Sequence, residues 1–103
     1  MAVLSVTTLT VKPDRMEDFV EQARKAKAIL EKHGGRNCRL ISGVVAGEAT
    51  GAFVFTVEAD DFAGMGAVQD KVMTDPDAAA IMTLGTANPA AGYQISYWVD
   101  IPL

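Results

Sequence analysis

The chain is poor in the residues that build metal centres and disulfide frameworks. Among its 103 residues it has one cysteine and one histidine. A lone cysteine cannot close an intramolecular disulfide bond, which is typical of proteins in a reducing cytoplasm. Structural zinc normally takes four cysteine, histidine or acidic ligands at recognisable spacing. The sequence therefore predicts a cytoplasmic protein without a metal site.

Two further absences narrow the class of partner. The net charge of -4 gives no general positive potential, and the phosphates of nucleic acid require one, so nucleic acid is not the expected partner. No apolar run approaches the ~18 residues of a membrane span, and the first residues lack the basic start of a signal peptide, so no membrane partner is expected. The sequence also has no G-x-G-x-x-G, P-loop or G-x-S-x-G motif.

What the chain does have is hydrophobic residues, which make up 50% of it and predict a substantial core. Apolar periodicity and turn residues predict the order βαββαβ, with the second helix broken in two. The predicted strands are 3–11, 37–47, 52–59 and 93–101, with a hairpin turn at 47–51. The predicted helices run from Pro13-Asp14 to Gly34-Gly35, from the Asp60-Asp61 cap to about Val72, and from the Asp75 cap through 78–84, before a loop at 86–92.

This order predicts an α+β fold, the ferredoxin-like sandwich of a four-stranded antiparallel sheet with helices on one face, in a single domain of residues 1–103. The uncovered face of such a sheet should alternate apolar and polar residues. The alternation is poor, because Leu4 and Val6 lie on one face while Val3 and Leu9 lie on the other. An apolar sheet face is larger than monomers usually expose, so we expect a homodimer whose sheets pack face to face.

Four segments carry a family resemblance. They are VKPDRMEDF after the first strand, LEKHGG at the end of the first helix, the glycine-bearing hairpin that follows, and TDPDAAAIM after the second helix. The arrangement spans nearly the whole chain and resembles the dimeric α/β-barrel superfamily, especially its NIPSNAP-like and antibiotic-biosynthesis-monooxygenase-like families. The resemblance implies a pocket between the helices and the sheet of each subunit.

The superfamily includes cofactor-independent oxygenases of aromatic polyketides, haem-degrading enzymes, lactone isomerases and members with no assigned activity. Haem-degrading members rely on a histidine late in the chain, whereas His33, the only histidine here, follows the first helix. The resemblance therefore points away from haem and implies no cofactor. In cofactor-free oxygenases of this fold, an activated substrate carbanion reduces dioxygen directly inside an apolar pocket that excludes water.

Two residues near the end of the first helix are candidates for catalysis. His33 extends the apolar stripe of that helix. It either satisfies the free carbonyls of the helix end or acts as a general acid/base with a pKa near neutrality. Cys38 lies on the following strand, where it is either a small core residue or a nucleophilic or redox thiol.

Four further residues are candidates for ligand binding. Tyr93 and Tyr97 share one face of the last strand and Trp98 takes the other; such aromatic residues either pack in the sheet or line a ligand pocket. Arg36 either binds a carboxylate or enolate oxygen of the ligand or carries a surface or interface charge.

Three functions remain open at this point. The sequence favours a cofactor-independent, monooxygenase-like enzyme that acts on a small apolar or aromatic molecule, with His33 assisting proton transfer. The second function is a non-catalytic dimer that binds a small ligand or serves a stress response. The third is a purely structural dimer with a filled interior.

Overall fold

The computed structural model describes residues 2–11, 13–44, 47, 51–77 and 93–103. Within them the chain forms four β-strands and two α-helices in the predicted order. The elements are β1 (Val3–Leu9), α1 (Met16–Lys32), β2 (Arg36–Ser42), β3 (Phe53–Ala59), α2 (Phe62–Met73) and β4 (Tyr93–Val99), with a 3-10 turn at Pro13–Arg15 before α1. The body of the predicted third helix, 78–84, and the predicted loop, 86–92, lie outside the described residues.

The four strands form one antiparallel sheet in the order β2-β3-β1-β4, which is the order of the ferredoxin-like fold. This confirms the predicted α+β class. Paired residues point the same way and successive residues alternate, so the register assigns each side chain to one of two faces. We call the face that α1 and α2 cover the helix face, and the opposite one the outer face.

The helix face holds the hydrophobic core. β1 contributes Val3 and Leu9, and β3 contributes Phe55, Val57 and Ala59, all of them buried. The buried residues of the helices are Phe19, Ala23, Ala26, Ile29 and Leu30 in α1 and Met65, Val68 and Val72 in α2. Full burial of one large apolar side chain stabilises a fold by about 1.5–3 kcal/mol. The helix face therefore carries most of the stability.

Two glycines end α1 and turn the chain into β2, as the sequence predicts. Gly34 has a φ of 102°, in the left-handed region that a side chain disfavours. Gly35 donates its N–H to the carbonyl of Leu30 at 2.8 Å. A Cβ on Gly35 would lie 2.7 Å from Cγ2 of Val57 and 2.9 Å from the Leu30 carbonyl oxygen, so only glycine fits.

The outer face mixes apolar, hydroxyl and charged side chains, and both described helices pack on the other side of the sheet. The register places twelve residues on it: Leu4, Val6, Thr8, Arg36, Arg39, Ile41, Val54, Thr56, Glu58, Gln94, Ser96 and Trp98. Five of the twelve are apolar, so the prediction of two apolar faces holds only in part here. Neither described helix is long and apolar enough to cross a membrane.

Candidate functional site

A shallow, open depression of about 500 Å³ lies on the outer face. Its lining comes from β1, β3 and β4: Val6, Thr8, Val54, Thr56, Gln94, Ile95, Ser96 and Trp98. The volume falls within the range of small-molecule sites in proteins. The predicted pocket between the helices and the sheet stays a prediction, because this depression is on the opposite side of the sheet.

The lining of the depression is neutral. Val6 and Val54 form an apolar floor, while the hydroxyls of Thr8 and Thr56 and the amide of Gln94 supply hydrogen-bonding groups. Such a lining suits a molecule with an apolar body and a few polar atoms.

Trp98 forms one wall of the depression and is 61% exposed. Its indole N–H donates to Oγ of Ser96 at 2.8 Å, which fixes the ring edge against its own strand. One π-face of a largely exposed indole is a stacking surface for a planar aromatic molecule. The predicted ligand-binding residue Trp98 therefore lies in the described depression.

A bulge in β2 puts two arginines on the outer face. Arg36 pairs with Glu58 and Arg39 with Thr56, so the stretch between them holds one residue more than its partner strand. Asn37 lies in this bulge with a φ of 49°, a conformation that asparagine tolerates better than most residues, and its side-chain amide donates to Glu58.

The guanidinium of Arg36 donates to the carboxylate of Asp60 on the same molecule. This predicted ligand-binding residue is therefore already engaged by an acid. Arg36 is paired with Glu58 of β3, which is paired with Leu4 of β1, and Leu4 is paired with Trp98 of β4. Arg36 and Trp98 therefore lie on one line across the outer face, but three strand spacings, roughly 14 Å, separate them. They do not line one cavity within a single chain.

His33 pairs with an aspartate that lies just beyond α2. Its Nε2 is 2.7 Å from Oδ2 of Asp75, and Nζ of Lys32 is 3.2 Å from the same oxygen. The carboxylate side chain is only 1% exposed, whereas the imidazole is 18% exposed. The backbone N–H of Asp77 donates to the other oxygen, Oδ1, at 2.8 Å. The pair ties the end of α1 to the segment after α2.

The hydrogen bonds of Asp75 favour its charged form. The N–H of Asp77 contributes most and the bond to His33 follows; together with Lys32 they outweigh burial and lower the pKa of Asp75 to about 2. A carboxylate that orients an imidazole through one ring nitrogen leaves the other nitrogen for chemistry, as in histidine general bases. His33 thus has a partner that suits its predicted catalytic role, although it does not line the depression.

Cys38 lies on the helix face and is 4% exposed, within the core cluster. Burial, and secondarily the Glu31 carboxylate, raise the pKa of the Cys38 thiol to about 11, against the opposing effect of Lys27. Such a thiol is almost wholly protonated at neutral pH, whereas nucleophilic chemistry requires the thiolate. These features favour the packing role of Cys38.

Tyr97 lies on the helix side of β4, where the side-chain amide of Gln69 in α2 donates to its hydroxyl at 2.6 Å. Tyr93 begins β4 opposite Leu9 of β1. The predicted residues therefore do not form one cluster. The structure places Arg36 and Trp98 on the outer face, Cys38 and Tyr97 on the helix side, and His33 in the turn after α1.

Sequence reasoning missed two features of these sites. Asp75 was interpreted as a helix cap, and its 42-residue separation from His33 gives no local signal of their contact. Strand alternation places Gln94 and Ser96 on the same face as Trp98, but neutral polar residues in a strand carry no further sequence signal of ligand binding. Among the described residues, no group of three or more histidine, cysteine or acidic side chains is placed to hold a metal ion.

Several solved structures share this fold. A candidate antibiotic-biosynthesis monooxygenase from Caulobacter crescentus is 19% identical, with a TM-score of 0.70 over 98% of this chain and 91% of its own. A NIPSNAP family protein from Agrobacterium tumefaciens is 10% identical, with a TM-score of 0.70 over 98% of this chain and 94% of its own. SnoaB, a cofactor-independent oxygenase from Streptomyces nogalater, is 13% identical, with a TM-score of 0.68 over 99% and 95%.

No protein-family model matches this sequence, and none of the curated proteins matches it. The chain is thus an α+β protein with the ferredoxin-like fold that NIPSNAP-domain and antibiotic-biosynthesis-monooxygenase-like proteins share. The resemblance stated from the sequence is confirmed at the level of the fold.

Proposed function

We propose that this protein is a homodimeric, monooxygenase-like enzyme that binds a small aromatic molecule on the outer face of its sheet and oxidises it without a metal or an organic cofactor. The observation that carries the proposal is the neutral depression walled by Trp98 on a sheet face to which neither described helix packs. The lone cysteine supports a cytoplasmic location.

The composition of the outer face supports the dimer. Trp98 is 61% exposed and Ile41 is 43% exposed, and they lie on the two edge strands of this one face. Exposed large apolar residues on one contiguous surface are typical of interfaces between proteins. A second copy of the sheet would bury these residues and close the open side of the depression, which would exclude water from a bound molecule.

The shared fold of a cofactor-independent oxygenase supports the chemistry. In the reaction we propose, an activated CH₂ group of the substrate loses a proton to water, the resulting carbanion transfers electrons to dioxygen, and that proton is returned to the oxygen atom that leaves. The CH₂ group becomes a C=O group, one oxygen atom of dioxygen becomes the carbonyl oxygen, and the other leaves as water. The protein supplies stacking on Trp98, hydrogen bonds from the neutral groups and exclusion of water.

Two neighbouring residues offer a matched test of the binding face. Trp98 and Tyr97 are adjacent in β4 but lie on opposite faces, and both are aromatic. With N-phenyl-1-naphthylamine as a neutral fluorescent probe, we expect Trp98→Ala to weaken binding about tenfold or more, and Tyr97→Ala to leave it nearly unchanged. If Tyr97→Ala alone abolishes binding, the ligand lies on the helix side and the proposed site is wrong.

Turnover separates an enzyme from a protein that only binds. We expect dioxygen consumption with polycyclic phenols that carry an activated CH₂ group, at equal rates with and without a metal chelator. Binding without any consumption across such a panel would favour the alternative, a non-catalytic ligand-binding dimer.

Analytical ultracentrifugation should find a dimer at micromolar concentration, and a stable monomer there would contradict the assembly.

The His33–Asp75 pair favours a second location for the chemistry, on the helix side. The imidazole is partly exposed and its Nε2 is held by a buried carboxylate, as in an oriented base. Under that alternative, His33→Gln would abolish dioxygen consumption while Trp98→Ala would not affect it. Under the outer-face proposal the effects of the two substitutions are reversed.

A further inference from the structure

One buried carboxylate joins the end of α2 to the end of α1. Asp75 lies two residues beyond α2, and its side chain is 1% exposed. Its Oδ2 lies 2.7 Å from Nε2 of His33 and 3.2 Å from Nζ of Lys32. Its Oδ1 accepts the N–H of Asp77 at 2.8 Å, and its own backbone N–H donates to the carbonyl of Val72 at 3.0 Å. The last turn of α2 is therefore connected to residues 42 and 43 positions earlier in the chain.

Asp75 is a charged acceptor at neutral pH. Its pKa is lowered to about 2, first by the N–H of Asp77 and then by the contact with His33, against the effect of burial. An ionised carboxylate can only accept hydrogen bonds, so Nε2 of His33 carries a hydrogen and donates to it. The imidazole can donate both as a neutral ring and as a cation. Protonation strengthens this bond, because two opposite charges attract each other more than a charge attracts a neutral donor.

His33 is the group that can change the charge of this contact near neutral pH. It is the only histidine in the chain, and histidine is the side chain that ordinarily gains or loses a proton between pH 5 and pH 8. Its side chain is 18% exposed, so water reaches the ring. Carboxylates and amines ordinarily titrate outside this range. The other charged residues near these two chain ends belong to those classes: Glu31, Lys32, Asp70, Lys71 and Asp77.

Lys32 competes with His33 for the carboxylate. Its Nζ is 3.2 Å from the same oxygen, and two positive charges at that oxygen would repel each other. The lysine side chain is 63% exposed, so solvent screens this repulsion. The imidazole and the carboxylate are far less exposed, so their attraction is screened less. We therefore expect the attraction between His33 and Asp75 to exceed the repulsion from Lys32.

We propose that His33 and Asp75 form a pH-dependent latch, which holds the end of α2 against the end of α1 more tightly when the imidazole is protonated. The stabilisation by the latch is greatest at the acidic end of the range from pH 5 to pH 8. It falls as the pH rises and the imidazole loses its proton. The last turn of α2 then opens more often, since helix ends open locally at low cost. The inference requires neither the dimer nor a ligand on the outer face, so it fails or stands separately from the proposed function.

Amide hydrogen exchange followed by NMR measures how often this chain end opens. The readout is the protection factor, the ratio of the intrinsic to the observed exchange rate, which removes the direct effect of pH on exchange. For the N–H groups of Asp75 and Asp77 we expect protection factors about twofold to fivefold higher at pH 5 than at pH 8, the gain expected of an ion pair at a partly exposed site. Equal protection factors at the two pH values would overturn the latch.

The other end of α2 provides an internal control. There the N–H of Gly64 donates to Oδ1 of Asp61 at 2.7 Å, so this amide is also bound by an aspartate side chain. The single histidine of the chain contacts Asp75 and not this cap. The protection factor of Gly64 should therefore be the same at both pH values. A change at Gly64 as large as that at Asp77 would mean that the whole protein responds to pH, and the local latch would be wrong.

His33→Gln is the decisive variant. The glutamine amide is a neutral donor that does not titrate, so it can bind the carboxylate equally at every pH in the range. We expect the difference in protection between pH 5 and pH 8 to disappear at Asp75 and Asp77, with the protection at pH 8 close to that of the unsubstituted protein. A pH difference that persists in His33→Gln would place the titrating group elsewhere and contradict the proposal.

Two variants that each remove one positive charge from α1 test the competition at the carboxylate. Lys32→Gln removes the competing charge, so the pH difference at Asp75 should become larger. Arg24→Gln is the matched control, because Arg24 pairs with Glu21 at 3.4 Å and should leave the pH difference unchanged. If Lys32→Gln abolishes the difference, the lysine and not the imidazole controls this chain end, and the latch is wrong.

Discussion

The two faces of this one sheet divide stability from chemistry. The helix face packs against two helices and buries most of its residues on β1 and β3, whereas Ile95, Tyr97 and Val99 on the helix side of β4 are exposed. The outer face alternates apolar residues with hydroxyl, amide and charged groups, and it holds the described depression. The difference shows that the same strands can serve packing with one set of alternate positions and recognition with the other, because a strand alternates its side chains.

The largest effect should come from the helix face. Phe19 is 2% exposed and its ring centroid is 5.6 Å from that of Phe53. We expect Phe19→Ala to lower the free energy of unfolding by about 3–5 kcal/mol, because it removes buried area and leaves a cavity. Chemical denaturation at fixed protein concentration measures this. Trp98→Ala removes a side chain that is exposed within its own chain and should cost less; an equal loss in the monomer would contradict the division between the faces.

The close contact at the end of α1 gives a second test. Gly35→Ala would push a methyl group against Val57 and the Leu30 carbonyl, and we expect a loss of about 1–3 kcal/mol in the free energy of unfolding. Gly66, within α2, is the control because, apart from its chain neighbours and the backbone of its own helix, no described atom lies within 4 Å of its Cβ position. Gly66→Ala should stabilise the protein by up to about 1 kcal/mol. A neutral result at Gly35 would show that the helix face is loosely packed there.

Asp75 should give the stability of the helix side a dependence on acid. Its pKa is lowered from 3.8 to about 2 in the folded chain. Its contribution to stability is therefore complete above pH 3.8 and is lost as the pH falls through about 2. Thermal unfolding of Asp75→Asn should show lower stability at pH 7 and a smaller loss between pH 4 and pH 2. An unchanged acid slope would mean that the hydrogen bonds of Asp75 with the Asp77 N–H, His33 and Lys32 are not formed in solution.

The smallest effect concerns Cys38. Because the pKa of this buried thiol is raised to about 11, iodoacetamide should alkylate it very slowly in the native protein at pH 7.5. Mass spectrometry measures the rate, and the protein unfolded in urea is the reference. Rapid native alkylation would show that the helix side of β2 opens to solvent and would restore a chemical role for the thiol.

Much of the fold is predictable from the sequence because its signals are local. The predicted cap at Asp61 is confirmed, since its carboxylate accepts the N–H of Gly64 at 2.7 Å. The strand at 3–11 is observed as Val3–Leu9, and alternation correctly separated Leu4 and Val6 from Val3. These signals act over a few residues, where turn chemistry and side-chain period decide the structure.

The site was less predictable because its contacts are not local. The bond between His33 and Asp75 exists only because the ends of two elements meet in space, and nothing in TDPD indicates a partner 42 residues earlier. In the sequence, the only indication of the bulge at Asn37 is an asparagine within a predicted strand. The depression depends on the register of three strands, which sequence periodicity alone does not determine.

The bulge has a consequence for how this sequence should be aligned with others. If the present residues paired regularly beyond Arg39, without the bulge at Asn37, Arg36 would fall opposite Ala59, whose side chain is 3% exposed, instead of opposite Glu58. The extra residue therefore keeps the charged side chain of Arg36 pointing outward, and deletion of Asn37 would remove the bulge and leave Arg36 opposite Glu58. A one-residue gap at Asn37 in an alignment therefore indicates the loss of the bulge and not a change in the direction of Arg36.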